Sequence, residues 1–139
     1  MRTYLDTSVL IALFLADTHT DRARRCISSG DEFLLSDFAA AEFSSAISGF
    51  HRIRRLDAAA AQRTFSDFDT WSARACRRVN LAPDDIRVGE QFMRRLDVAL
   101  RTPDALHVAA ASRLGASLAT FDVGMAQAAS RLNVSLVDA

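Results

Sequence analysis

The first ten residues, Met1-Arg2-Thr3-Tyr4-Leu5-Asp6-Thr7-Ser8-Val9-Leu10, constrain the rest of the chain most strongly. Tyr4 and Leu5 suit a buried strand, and an apolar run resumes from Val9 to Phe14. A strand that stops at Asp6, turns on Thr7 and Ser8 and enters a helix puts a carboxylate at the carboxyl edge of a sheet. Open α/β sheets bind ligands at that edge. Asp, Ser and Thr also favour helix caps, so Asp6 alone could be no more than a helix start. What decides is whether other acids arrive at the same edge.

Taken in order, the pattern predicts a strand over Arg2–Leu5 and a helix from Thr7 to about Leu15. A second helix carries Ala23, Cys26 and Ile27 and stops at Gly30. Phe33-Leu34-Leu35 is a short apolar run between polar residues, as expected of a buried parallel strand. Ser36 caps a helix reaching about Ile53, and Asp57 caps the next, whose apolar side is marked by Phe65, Phe68 and Trp71. A third strand is placed around Cys76–Val79. Pro83 opens a helix with Asp84 and Asp85 in its first turn, which suits the macrodipole. Thr102-Pro103-Asp104 predicts another helix start, with threonine as cap and proline first in the helix. Ser117–Phe121 reads as a strand ending at Asp122, Val123–Leu132 as a helix with Asn133 as a left-handed terminus, and Val134–Val137 as a last strand. The alternation of strands and helices predicts a parallel sheet covered on both faces.

At 139 residues the chain fits one domain, 1–139, with a real core. No apolar run approaches a membrane span, and Met1 leads straight into a strand without a signal region. A cytoplasmic protein is expected. Cys26 and Cys76 lack metal-site spacing and are expected to be free thiols in or near the core. The net charge is zero, and all 17 basic residues are arginine. Arginine favours bidentate contact with phosphate, although such richness can also follow genome composition.

Four carboxylates fall at strand ends or helix starts. Asp6 ends the first strand, and Glu42 lies less than two turns beyond Ser36. Asp104 sits in the first turn of its helix, and Asp122 ends the strand from Ser117. Any one of them could be a cap or a solvated residue, but four coincidences at one edge are harder to accept. Clustered carboxylates repel, and a shared site raises at least one pKa strongly. Keeping them ionised together requires a cation. Lysine is absent, and no motif fixes an arginine among them. A hard divalent ion with oxygen ligands meets the need. It could also activate water and reverse the sign of an acidic pocket toward a phosphodiester.

These motifs together resemble a known family. Tyr-Leu-Asp-Thr-Ser at 4–8, Ser-Asp-Phe-Ala-Ala-Ala-Glu at 36–42, Leu-Arg-Thr-Pro-Asp-Ala-Leu-His at 100–107 and Leu-Ala-Thr-Phe-Asp at 118–122 are similar to the four acidic motifs of PIN-domain nucleases. The likeness is greatest to VapC-type toxins of bacterial toxin–antitoxin pairs, and it spans essentially the whole chain. Each motif is weak alone, whereas the ordered set is specific. The resemblance implies a three-layer α/β/α sandwich with a central parallel sheet of about four to five strands. It implies a Mg2+-dependent endoribonuclease, with Mn2+ as a possible substitute, an antitoxin partner and a homodimer. Residue by residue it assigns Asp6, Glu42, Asp104 and Asp122 to the acidic site. Asp6 and Asp104 are the first choices as metal ligands, and Asp122 is a direct, water-mediated or second-ion ligand. Glu42 would hold or orient the attacking water, with base character if its pKa rises. Ser8 and Thr120 would support the acids by hydrogen bonding.

Other residues admit plainer roles. His107 stands three residues after Asp104, a spacing that a zinc hydrolase could use. A histidine in an alanine-rich helix is more often packed and hydrogen-bonded, and that is the expectation here. Arg52, Arg54, Arg55, Arg77 and Arg78 are candidates for a phosphate-tracking rim on RNA, with ion pairing or a solvated face as the alternative. An aspartyl phosphatase would want a second Asp at position 8, where Ser8 stands. A receiver domain needs a lysine, and the chain has none. A non-catalytic module binding RNA or protein is the remaining alternative.

Overall fold

The computed structural model describes residues 1–137. In chain order the elements are β1 (Arg2–Leu5), α1 (Thr7–Phe14), α2 (Thr20–Ile27), β2 (Glu32–Ser36), α3 (Asp37–Arg52), α4 (Ala58–Ala75) and β3 (Cys76–Val79). They continue with α5 (Pro83–Arg94), α6 (Thr102–Arg113), β4 (Ser117–Ala119) and α7 (Val123–Arg131). The four strands form one parallel sheet in the order β3-β2-β1-β4. The predicted parallel sheet is therefore present, at the lower end of the expected strand number. Val134–Val137 joins it only as a single bridge between Leu118 and Leu136, with Leu118 N donating to Ser135 O and Val137 N donating to Leu118 O.

Alternation along each strand builds two cores, because successive side chains leave a strand on opposite faces. Leu5, Leu35 and Ala119 face one core with Val9, Leu10, Phe43 and Phe68. Tyr4, Leu34 and Leu118 face the other with Val108, Met125 and Ala129. Helices thus cover both faces, giving the three-layer α/β/α arrangement. Each large side chain buried in these layers contributes roughly 1.5–3 kcal/mol of transfer free energy. Among the described residues no helix is long and apolar enough to cross a membrane. Cys26 is buried, Cys76 is half-buried, and both are free, as the spacing predicted.

Local chemistry explains most boundaries. Gly30 and Gly115 take positive φ beyond α2 and α6, and Asn133 does so beyond α7. Two expectations shift. Strand β4 ends at Ala119 rather than Phe121, because Phe121 N donates to Ser8 Oγ and the Thr120 hydroxyl turns to Asp6. The cap of α6 is Arg101, and Thr102 is its first helical residue, so Pro103 stands second and Asp104 third.

Asp85 is more than the dipole partner expected from the sequence. It is buried at 1% exposure, and both its oxygens pair with Arg113, Oδ1 with Nε at 2.8 Å and Oδ2 with Nη2 at 2.9 Å. Oδ2 also accepts from Ala82 N, and Arg113 Nη2 donates to Asn80 O. This pair ties the β3–α5 connection to α6, the helix that carries Asp104. Replacement by alanine strands a guanidinium and a backbone N–H. Arg113 is partly solvated, so the cost falls below that of a fully buried pair. Urea denaturation of Asp85→Ala is expected to show a loss of about 2 kcal/mol.

Candidate active site

The strand order places β1 between β2 and β4, so the parallel strands are added outward on one side of β1 through β2 and β3 and then on its other side with β4. Such a switch point opens a crevice at the carboxyl ends of the strands. Asp6 and Asp122 flank it, following β1 and β4.

Asp6 is buried at 2% exposure and caps α1. Its Oδ1 accepts from Ser8 Oγ at 2.6 Å and Val9 N at 3.2 Å, and its Oδ2 accepts from Thr120 Oγ1 at 2.6 Å. Thr120 Oγ1 in turn accepts from Asp122 N at 3.0 Å. One hydroxyl therefore couples Asp6 to the start of α7, where Asp122 caps the helix through Met125 N. Ser8 and Thr120 thus both donate to Asp6. Both aspartates cap helices at the crevice.

Asp104 and Asp122 line one cleft of about 470 Å³ with Val98, Leu100, Arg101 and Met125. Arg101 Nε lies 3.6 Å from Asp104 Oδ2. An arginine thus stands at the acids, contrary to the sequence expectation that none is fixed there. Its position follows from the α6 cap, three residues before Asp104.

Glu42 projects from α3, with Oε1 accepting from Thr7 Oγ1 at 2.9 Å and meeting His107 Nε2 in a short contact. His107 is buried, and its Nδ1 lies 2.8 Å from the Tyr4 hydroxyl. It is the packed, hydrogen-bonded histidine expected, but its bond goes to one of the four acids. Sequence reasoning missed Tyr4, Thr7 and Arg101 as neighbours of the site. The only signal for His107 was its spacing from Asp104.

Burial pushes the Asp6 carboxyl above the ordinary carboxylate range, against the bonds from Ser8 and Thr120. Burial and then the charge of Asp122 push Asp104 up, with Arg101 opposing. Burial also pushes Glu42 up, but the His107 bond and charge and the Thr7 bond outweigh it, leaving this carboxyl below its usual value. The condition for Glu42 to act as a base, a raised pKa, is therefore not met. For Asp6 and Asp104 the folded pKa exceeds the unfolded one. Their contribution to stability is full below the ordinary carboxylate range and is lost as pH rises through the raised values. Metal-free protein is therefore expected to melt higher when mildly acidified from neutral, until Glu42 is protonated and reverses the trend. A melting curve series in EDTA measures this, and Asp6→Asn should flatten it.

Among the described residues, no three His, Cys, Asp or Glu side chains stand close enough to hold a metal ion. The donor chemistry nevertheless fits a hard cation. Asp104 and Asp122 line one cleft, where the charge of Asp122 raises the cost of ionising Asp104, and the Asp6 carboxylate is linked to the Asp122 backbone N–H through Thr120. Magnesium commonly takes one or two carboxylates and keeps several waters.

The candidate RNA-binding arginines lie elsewhere or are engaged. Arg77 pairs with Glu32 at 3.1 Å and Arg78 with Asp37 at 2.9 Å. Arg52 ends α3, ten residues after Glu42, or about 15 Å along the axis. Arg54 takes a positive φ in the following turn, and Arg55 covers the Phe50 ring. Nearer the cleft, His19 stacks on Phe121 at 4.8 Å and the Arg22 guanidinium lies 4.9 Å from the same ring centroid.

Comparison with known proteins agrees with this fold. The fold is similar to VapC20 of Mycobacterium tuberculosis, described as a sarcin-ricin loop cleaving toxin. That pair has a TM-score of 0.71 and 19% identity over 91% of this chain and 94% of that one. It is similar to VapBC2 of Rickettsia felis, solved with a DNA fragment from its promoter (TM-score 0.72, 13% identity, 99% and 98% covered). It is also similar to VapBC-1 of nontypeable Haemophilus influenzae (TM-score 0.72, 16% identity, 99% and 98% covered). No curated protein matches the sequence. At these identities the likeness to solved structures establishes the fold, but the sequence itself matches the PIN domain over residues 3–131. With that match spanning nearly all of it, the chain belongs to the PIN domain family.

Proposed function

We propose that this chain is a metal-dependent endoribonuclease, the toxin of a VapBC-type toxin–antitoxin pair, acting in the cytoplasm as a homodimer. The observation that carries the reading is the meeting of Asp104 and Asp122 in one cleft, with Asp6 coupled to Asp122 through Thr120. Solved complexes of similar fold that contain a toxin and its antitoxin support the partner. The sarcin-ricin loop activity of one neighbour supports RNA as substrate.

In this reading Asp6 and Asp104 are the first choices to hold Mg2+, with Mn2+ as a substitute, and Asp122 binds it directly, through water or by way of a second ion. The bound ion supplies an activated water and a positive charge for the phosphoryl oxygens. The residues do the rest. Asp6 is held rigidly by Ser8, Val9 N and Thr120, so its oxygens are fixed before substrate arrives. Glu42 is ionised at neutral pH and accepts a hydrogen bond from the attacking water, orienting it. Arg101, at the cleft mouth, exchanges its contact with Asp104 for the substrate phosphate. The exposed arginines give a salt-dependent, sequence-independent contribution to RNA affinity.

The test has two parts. Mg2+ added to metal-free protein is expected to raise the melting temperature, because it relieves carboxylate repulsion. Expression alone should arrest growth, and a co-expressed small protein encoded beside the gene should relieve the arrest. No melting shift with Mg2+ or Mn2+ and no arrest would contradict the reading.

A further inference from the structure

The contact between Glu42 and His107 continues into the protein as a chain of four polar groups. Glu42 Oε1 already accepts from Thr7 Oγ1 and also meets His107 Nε2. A carboxylate only accepts, so Nε2 presents its N–H to it. Behind the ring, Nδ1 lies 2.8 Å from the Tyr4 hydroxyl, which lies 2.8 Å from Ser36 Oγ. Ser36 Oγ accepts from Ala39 N at 2.9 Å in the first turn of α3. The chain thus starts and ends on the helix that carries Glu42. Tyr4, Ser36 and His107 are all essentially buried.

The imidazole is also clamped by rings, with Phe38 at 5.1 Å and Tyr4 at 5.7 Å between centroids. It cannot turn without breaking both polar contacts. A histidine needed only for packing could satisfy Nε2 on a backbone carbonyl. Here Nε2 is committed to a part-exposed carboxylate among the site acids. Its charge, when present, also reaches Asp6 and Asp104.

We propose that Tyr4 and His107 form a positioning relay that fixes Oε1 of Glu42 and leaves Oε2 as the oxygen offered to the attacking water. This rests on the nuclease reading above. Neither residue touches substrate, so both are positioning residues rather than catalytic ones. The relay explains why a carboxylate with no metal to hold should need two fixed donors on a single oxygen. With Oε1 saturated, only Oε2 is free to orient a water.

The test compares the full chain with His107→Leu, His107→Gln and Tyr4→Phe in Mg2+-dependent RNA cleavage over the acidic to neutral range. Imidazole nitrogen NMR is recorded on the unsubstituted protein without metal or RNA. His107→Leu is expected to lower kcat about 10–100-fold, as loss of an orienting partner does, with little change in KM. Its acidic limb should move to higher pH, because Glu42 loses a donor that stabilises its charge. His107→Gln restores an N–H donor and should recover most of kcat. Tyr4→Phe should fall between them with the same direction of limb shift. The spectrum should show Nε2 protonated. Wild-type kcat and pH profile in all three variants would overturn the relay, as would a bare Nε2. If His107→Leu does not fold, the Gln variant and the spectrum still decide. If the unsubstituted chain cleaves no RNA, the nuclease reading fails on its own, and the spectrum still shows whether Nε2 donates to Glu42.

Discussion

Asp6→Asn is expected to reduce RNA cleavage by well over about a hundredfold, beyond the usual effect of losing a partner one layer further out. The same substitution should leave the fold intact. Asparagine keeps an acceptor for Ser8 and Val9 N, the two donors that set the start of α1. Thr120 can accept from the new amide while still accepting from Asp122 N, since a hydroxyl oxygen has two lone pairs. Burial has raised the Asp6 carboxyl, which means that ionised Asp6 costs stability at neutral pH in the metal-free protein. The neutral amide removes that cost. Melting temperature in EDTA should therefore stay level or rise while activity disappears. A fall in both would mean that Asp6 is only a structural cap. Undiminished cleavage would place the chemistry elsewhere.

The second large effect is on the fold itself. Phe43→Ala is expected to destabilise the protein by about 3–5 kcal/mol, the range for emptying a buried aromatic site. Phe43 is fully buried. Its ring stacks on Phe68 at 4.4 Å between centroids and meets Phe14 edge-on at 5.7 Å. Phe14 also packs on Phe68 and Trp71, so the four rings join α1, α3 and α4 into one layer. The neighbouring residue on α3 is Glu42, whose placement against Thr7 of α1 depends on the same packing. Urea unfolding with an unchanged slope should report the loss. A change below about 1 kcal/mol would mean that the layer closes around the gap at little cost.

The framework was legible because parallel strands buried on both faces read as short apolar runs, and the turns between elements carry strong local signals. Phe33–Leu35, the glycine at position 30 and Asn133 all behave as their chemistry requires. Errors cluster where tertiary bonds override local preference. β4 stops early because Thr120 and Phe121 bond to Asp6 and Ser8, more than a hundred residues away in sequence. The weak pairing of Val134–Val137 likewise depends on a partner strand that is only three residues long. In the candidate site, strand ends and helix starts are visible in sequence, so acids standing at them can be proposed. The groups around them could not. His107 meets Glu42 across 65 positions and Tyr4 across 103, and neither separation leaves a periodic trace. The pairing of Arg77 with Glu32 and of Arg78 with Asp37 was not legible either, because it arises from adjacent strands and a helix start.

The most direct measurement is cleavage of a defined RNA by the purified, partner-free chain, with Mg2+ and with excess EDTA, beside Asp104→Asn. Asp104 is the acid with the fewest other duties, since it caps no helix and, among the described residues, its one ion pair is with exposed Arg101. The account predicts endonucleolytic products from the unsubstituted protein in Mg2+, none in EDTA, restoration by Mn2+, and no products from a folded Asp104→Asn. Cleavage that persists in EDTA or in folded Asp104→Asn would contradict it, as would RNA binding by the unsubstituted protein with no cleavage in either metal.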